Sequence, residues 1–166
     1  MISVVIPTYQ EGKNLPTTLD SILVQTYKDV EIIVVDDEST DDTQGYIKPY
    51  LSKITYIRVP HGGNQVARNT GLGRAKGEYV IVCDADITMI PTCLEEMATI
   101  LDSRPDVSLV YSSFKWQWKV FPSHDFDLEL LKQMNYINMA ALVRKKDHPG
   151  FDAAIRRFQD WDVWLT

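Results

Sequence analysis

Acidic residues gather where apolar runs stop. The run 30–35 (Val-Glu-Ile-Ile-Val-Val) leads into Asp36-Asp37-Glu38, and five of the seven residues 36–42 are acidic. The run 78–83 (Glu-Tyr-Val-Ile-Val-Cys) leads into Asp84-Ala85-Asp86, and 2–6 leads into Pro7-Thr8-Tyr9-Gln10-Glu11. Carboxylates crowded together raise one another's pKa unless a cation intervenes, and a divalent metal is the simplest cation to do so. Oxygen ligands favour Mg2+ or Mn2+ over Zn2+, and a metal held by one or two carboxylates completes its shell with substrate phosphates. The chemistry indicated is work on a diphosphate-bearing substrate. Acids ahead of a helix also complement its dipole, which is the plainer reading of Asp41 and Asp42. Asp84 and Asp86, flanking one small residue at the end of an apolar strand, have no such structural need.

Those residues need a scaffold that brings their strand ends together. Short apolar runs at 2–6, 30–35, 54–59, 78–83 and 107–111 are rich in Val and Ile and nearly continuous, as suits strands buried on both faces of a parallel sheet. Between them, Leu15, Leu19, Ile22 and Leu23 share one helical face, with Asn14 as cap and Pro16 in the first turn. Ser39 or Thr40 can start a helix toward Tyr50 that Gly45 and Pro49 shorten or break; 63–75 and 91–102 supply two more. Strand and helix alternate throughout, so the expectation is an open α/β sheet, mostly parallel, with helices on both faces and right-handed crossovers. In such sheets ligands bind outside the carboxyl ends of the strands, which is where the acids fall.

After residue 111 the period changes. Phe114, Trp116, Trp118 and Val120 alternate with Lys115, Gln117 and Lys119, which predicts one amphipathic strand, antiparallel to the earlier set. Residues 125–134 read as helix, 139–143 as strand and 155–165 as the start of a helix that reaches Thr166 with no capping signal, as in a chain cut from a longer one.

The 166 residues amount to one domain, with 45% hydrophobic and 24% charged residues. That balance excludes disorder and a disulfide miniprotein. A formal charge of -6 without a basic stripe argues against nucleic-acid binding. Two cysteines and three histidines show no metal-ligand or redox spacing. With a strand pattern starting at residue 2 and no membrane-spanning run, a cytoplasmic protein without a leader is expected. Trp116 and Trp118 read as core ahead of the sharper alternative, a sugar-stacking or lipid-surface site with Lys115 and Lys119. Cys83 reads as an inert buried thiol, and Gly62-Gly63 as a turn before a helix.

Three chemistries share this grammar. Asp84-Ala85-Asp86-Ile87-Thr88 satisfies the DxDxT motif of haloacid-dehalogenase-type phosphatases, but 107–113 lacks the later acidic pair. A phospho-receiver domain needs an acidic pair on its first strand, where this chain has Thr8 and Tyr9. The third is transfer from a nucleotide-diphosphate sugar.

For that third class the chain carries an ordered set of motifs. Val4-Val5-Ile6-Pro7-Thr8-Tyr9-Gln10-Glu11 resembles the opening of the inverting family 2 glycosyltransferases of GT-A fold. Leu19-Asp20-Ser21-Ile22-Leu23 and Glu31-Ile32-Ile33-Val34-Val35-Asp36-Asp37 follow in the same order. Ala67-Arg68-Asn69-Thr70-Gly71-Leu72, Asp84-Ala85-Asp86, Phe151-Asp152 and Gln159-Asp160-Trp161-Asp162 continue the likeness to residue 165.

The resemblance implies a Rossmann-like GT-A domain, with a nucleotide-sugar half (1–111), a small, partly antiparallel acceptor half (112–166), and Mn2+ or Mg2+ as cofactor. Pro7, Thr8, Tyr9 and Glu11 would line the nucleoside pocket, and Asp37 would accept from an imide N–H of the base. Arg68 would reach the nucleotide and its phosphates. Asp84 and Ala85 would lie near ribose and metal, and Asp86, with Asp84, would hold the metal, which stabilises the leaving diphosphate. Asp160 would be the general base, with Asp162 as the alternative. Here the chain departs from the family, because the residue before the base is usually acidic and is Gln159 in this sequence. The implied partners are a nucleotide-sugar donor, most often UDP-linked, and a saccharide or lipid-linked acceptor, with peripheral membrane contact as an option. The rival of another class is a domain that binds the donor without transferring it.

Overall fold

The computed structural model describes residues 1–155 and 157–166. The elements run β1 (Ile2–Thr8), α1 (Leu15–Leu23), β2 (Val30–Asp36), α2 (Thr43–Ile47), β3 (Thr55–Arg58), α3 (Asn64–Arg74), β4 (Tyr79–Val82) and α4 (Cys93–Ser103). They continue as β5 (Leu109–Val110), β6 (Phe114–Trp116), β7 (Lys119–Phe121), α5 (Leu128–Gln133), β8 (Leu142–Arg144) and α6 (Gln159–Leu165). Single 3-10 turns follow α2 and β8. The main sheet has the order β3-β2-β1-β4-β8-β5. Its first four strands are parallel, and β8 is antiparallel to both of its neighbours.

Alternation along the strands sorts the core into two layers. Ile2, Val4 and Ile6 of β1 and Ile32 and Val34 of β2 pack with Leu15, Leu19 and Ile22 of α1 and Leu94, Met97 and Leu101 of α4. On the opposite face, Ile33, Val35 and Val80 pack with Ala67 of α3, and Val5 and Val82 pack with Val163 of α6. Both faces being covered explains why these strands read as continuous apolar runs. Gly71 lets α3 approach closely: a Cβ there would lie 2.2 Å from Val5 Cγ1.

The structure corrects several expectations. Pro7 does not end β1; the strand runs on to Thr8. The ladder to β4 stops at Val5, so the missing proline N–H leaves no pair broken there. Residues 107–111 yield only the two-residue edge strand β5, which is antiparallel to β8. The long strand expected over 114–121 is a hairpin, β6 paired with β7, that turns at Gln117 (φ 54°). Phe114 then faces Phe121 across the pair at 4.7 Å, and Val120 falls opposite Lys115, away from the apolar face it was assigned. Trp116 and Trp118, read as core, are 68% and 85% exposed. The helix expected from 155 begins at Gln159, and its expected residue 156 lies outside the described residues. Among the described residues no helix is long and apolar enough to cross a membrane.

Candidate active site

Parallel register sets three strand ends side by side. Thr8 pairs with Asp36, Asp37 N donates to Thr8 O at 2.9 Å, and Cys83 N donates to Val5 O at 2.9 Å. The carboxylates listed along this rim in the sequence then separate by role. Asp36 is fully buried and structural: it accepts from Ser39 N (2.8 Å) and from the Tyr56 hydroxyl (2.5 Å). Burial and the Asp36 carboxylate push the Tyr56 phenol up to about 12. Asp41 holds Gly12 N and the Thr43 N and hydroxyl. Burial raises its pKa, but these hydrogen bonds outweigh burial and hold it below the ordinary range.

Asp37 is placed differently from the base contact the resemblance implies. It is 1% exposed, and both of its oxygens are turned into the loop after β3. Gly62 N donates to Oδ1 (2.7 Å) and Gly63 N to Oδ2 (2.9 Å), while His61 Nδ1 lies 2.9 Å from Oδ2. Two adjacent backbone N–H groups meet a carboxylate here because Gly63 adopts φ 89°, open to glycine at little cost. The His61 ring then lies 4.5 Å from the half-exposed ring of Tyr9. Tyr9 and His61 thus set two aromatic rings side by side near the end of β1. Pro7 is buried in that strand, and Glu11 is exposed and accepts from Asn14 Nδ2 at 2.5 Å.

Arg68 ties the site together. Its side chain is 6% exposed, with NH2 donating to Asp84 Oδ1 (2.9 Å) and NH1 to Gln159 Oε1 (2.8 Å), and its guanidinium lies 5.2 Å from the centroid of the Phe151 ring. Arg68 Nε and Thr8 Oγ1 are both shut away from solvent without a hydrogen-bond partner among the described residues. Two orphaned buried polar groups beside one cleft are what a site built for a polar ligand leaves behind. In the DxD segment, Ala85 is buried and its carbonyl accepts from Thr18 of α1 at 2.7 Å, so Asp84 stands half out and Asp86 is exposed. An exposed carboxylate with a half-exposed neighbour fits a metal that completes its shell with phosphate oxygens; among the described residues no group of three His, Cys, Asp or Glu forms a protein-only cage.

On the far side of Arg68 stands α6. Asp160 follows Gln159 directly, is half-buried, and accepts from Asn135 Nδ2 at 2.6 Å. Trp161 and Trp164 donate to the carbonyls of Leu131 (2.6 Å) and Ile137 (3.2 Å), docking this short helix onto the segment 128–141. Asp162, two residues on, projects from a different side of the helix than Asp160. The structure therefore links Arg68 to Asp84 and to Gln159, the neighbour of Asp160, while Thr8 is buried at the end of β1 and Asp86 is exposed. Sequence reasoning missed Asn135, Thr18 and His61, since nothing in their spacing ties them to Asp160, the Ala85 carbonyl and Asp37, their partners.

A mostly parallel α/β sheet with carboxylates at the carboxyl ends of its strands is the arrangement of the GT-A fold. The model of Glycosyl transferase family 2 matches residues 3–164, and the chain belongs to that family. A glycosyltransferase of Rickettsia typhi is 37% identical over 184 residues, covering 99% of this chain and 58% of that protein. The structure of Staphylococcus aureus TarS 1-349 in complex with UDP-GlcNAc superposes with a TM-score of 0.81 at 22% identity, over 96% of this chain and 51% of that one. The mannosyltransferase PcManGT of Pyrobaculum calidifontis, in complex with GDP-Man and Mn2+, gives 0.74 at 23% identity, over 95% and 49%. The chain thus spans roughly half the length of each of these three.

Proposed function

We propose that this chain is the catalytic domain of a metal-dependent, inverting glycosyltransferase that takes its sugar from a UDP-linked donor. The observation that carries the proposal is the buried Arg68, which hydrogen-bonds both Asp84 of the DxD segment and Gln159, the residue next to Asp160. The UDP-GlcNAc and Mn2+ complexes of the two structural neighbours support the donor and the metal.

Residues 1–111 form the donor half in this reading. Tyr9 stacks on the base, Asp37 acts by anchoring the 61–63 loop beside it, and Pro7, Thr8 and Glu11 line the nucleoside pocket. Arg68 and Ala85 shape the wall near the diphosphate. Asp86, with Asp84, would hold Mn2+ or Mg2+, which neutralises charge building on the leaving diphosphate. Residues 112–166 carry the acceptor side. Asp160 takes the proton from the acceptor hydroxyl as that oxygen attacks C1 on the face opposite the diphosphate, so C1 inverts.

A thermal-shift panel of UDP, GDP, CDP and TDP, each with and without Mn2+, tests the donor site. A ligand at a hundred times its dissociation constant adds roughly 2.7 kcal/mol. For a domain of this size that raises Tm by about 5–10 °C. The expected result is a shift with UDP that needs Mn2+ and disappears in Asp86→Ala. A metal-independent shift, or none with any diphosphate, contradicts the donor site as described.

A further inference from the structure

We infer that Asn135 is a positioning residue that holds the Asp160 carboxylate in the orientation a base requires. The inference rests on the proposed role of Asp160. Asn135 lies just beyond α5, and its two amide atoms are committed in opposite senses. Oδ1 accepts from Ile137 N at 3.2 Å, which fixes which end of the amide is which. Nδ2 is thereby presented to Asp160 Oδ2 at 2.6 Å. The loop cannot easily retreat, because Ile137 is 1% exposed and packs with Leu131, Ala141, Trp161 and Trp164. Its carbonyl receives Trp164 Nε1, and Trp164 sits one turn from Asp160 on the same side of α6.

The helix cannot supply this precision alone. It has seven residues, no side-chain cap, and a left-handed residue, Phe158 (φ 57°), at its start. A helix that short is marginal without tertiary support. A carboxylate at its first turn would sample several rotamers. With Oδ2 held by Asn135, Oδ1 is the oxygen that would take the proton. In donor hydrolysis, water loses its proton to Asp160 as its oxygen bonds to C1, and the C1–O bond breaks with its electron pair going to UDP. Misdirecting the base degrades that step while leaving donor binding intact.

The test uses the full chain with UDP-GlcNAc and Mn2+, water as acceptor, and UDP release as readout. Asp160→Asn is assayed first. Loss of release there establishes the base, and unchanged release overturns the proposed role of Asp160 independently of Asn135. Asn135→Asp keeps the shape and the acceptor for Ile137 N but cannot donate. It is expected to lower kcat about ten- to hundredfold with the UDP dissociation constant unchanged. Asn135→Ala is expected to lose a similar factor in the wild type and less than twofold more when Asp160 is already Asn, because interacting residues are not additive. Wild-type kcat in Asn135→Asp overturns the inference, and so does a full additional loss from Asn135→Ala in the Asp160→Asn background. Equal weakening of UDP binding in the Asn135 variants also overturns it, since the residue then serves the fold as a whole.

Discussion

Arg68 and His148 show how single side chains set the limits within which the site works. Arg68 is a buried cation with one carboxylate partner, Asp84, and one neutral partner, Gln159. Removing it strands Oδ1 of Asp84 and takes away the hydrogen bond from α3 to Gln159 of α6. Because Asp84 is half in water, the cost is below that of a fully buried pair: Arg68→Ala is expected to lose about 2 kcal/mol in urea unfolding, along with donor turnover. His148 accepts from Gly150 N and packs 5.4 Å from Phe151, the ring beneath Arg68. Burial lowers its pKa from 6.5 to about 4. The folded state therefore prefers neutral histidine, and the unfolded chain binds the proton more readily. Stability is full above about pH 6.5 and falls as pH drops from there through 4, by on the order of 3 kcal/mol. Urea midpoints from pH 7 to 4 should show that slope, and His148→Gln should flatten it. At this scale the acids at the rim were legible in the sequence because they end apolar runs. That Asp36 holds the fold was not: it depends on Tyr56, a residue distant in sequence.

At the scale of elements, the parallel half followed from pattern alone. Continuous Val and Ile runs locate β1, β2 and β4, and the Leu15-Leu19-Ile22 stripe locates α1, because each element buries a face whose period is written locally. The hairpin escaped because the alternation over 114–121 fits one long strand as well as two short ones, and its turn at Gln117-Trp118 contains neither Gly nor Asn. The insertion of β8 between β4 and β5 escaped because three residues of strand carry no sign of their partners. Gly71, named in the sequence only within the Ala67–Leu72 block of the resemblance, proves to be a packing residue between α3 and β1. Gly71→Ala forces a methyl group against Val5, and a loss of about 1–3 kcal/mol is expected, read as a drop in Tm. UDP affinity is expected to be retained in the folded variant, since the atoms a Cβ at Gly71 would meet belong to Val5 and Val35 inside the sheet.

At the scale of the whole molecule, the chain is built on one six-stranded sheet; in the proposed reading its carboxyl edge carries the donor chemistry and the later segments supply the base. The 128–141 segment is the hinge of that arrangement: β8, just after it, locks into the main sheet beside β4, and its own carbonyls hold the two tryptophans of α6. Family membership was legible because every motif appears in order across the chain. The acceptor was not, because many chemistries share one scaffold and no periodicity encodes the shapes of its loops. The central claim is that Asp160 and the DxD carboxylates serve one reaction centre across Arg68. Steady-state release of UDP from UDP-GlcNAc with Mn2+, compared between wild type and Asp160→Asn with UDP affinity measured alongside, tests it most directly. The account expects at least a hundredfold fall in kcat with UDP binding unchanged. Equal turnover by the two proteins would contradict it.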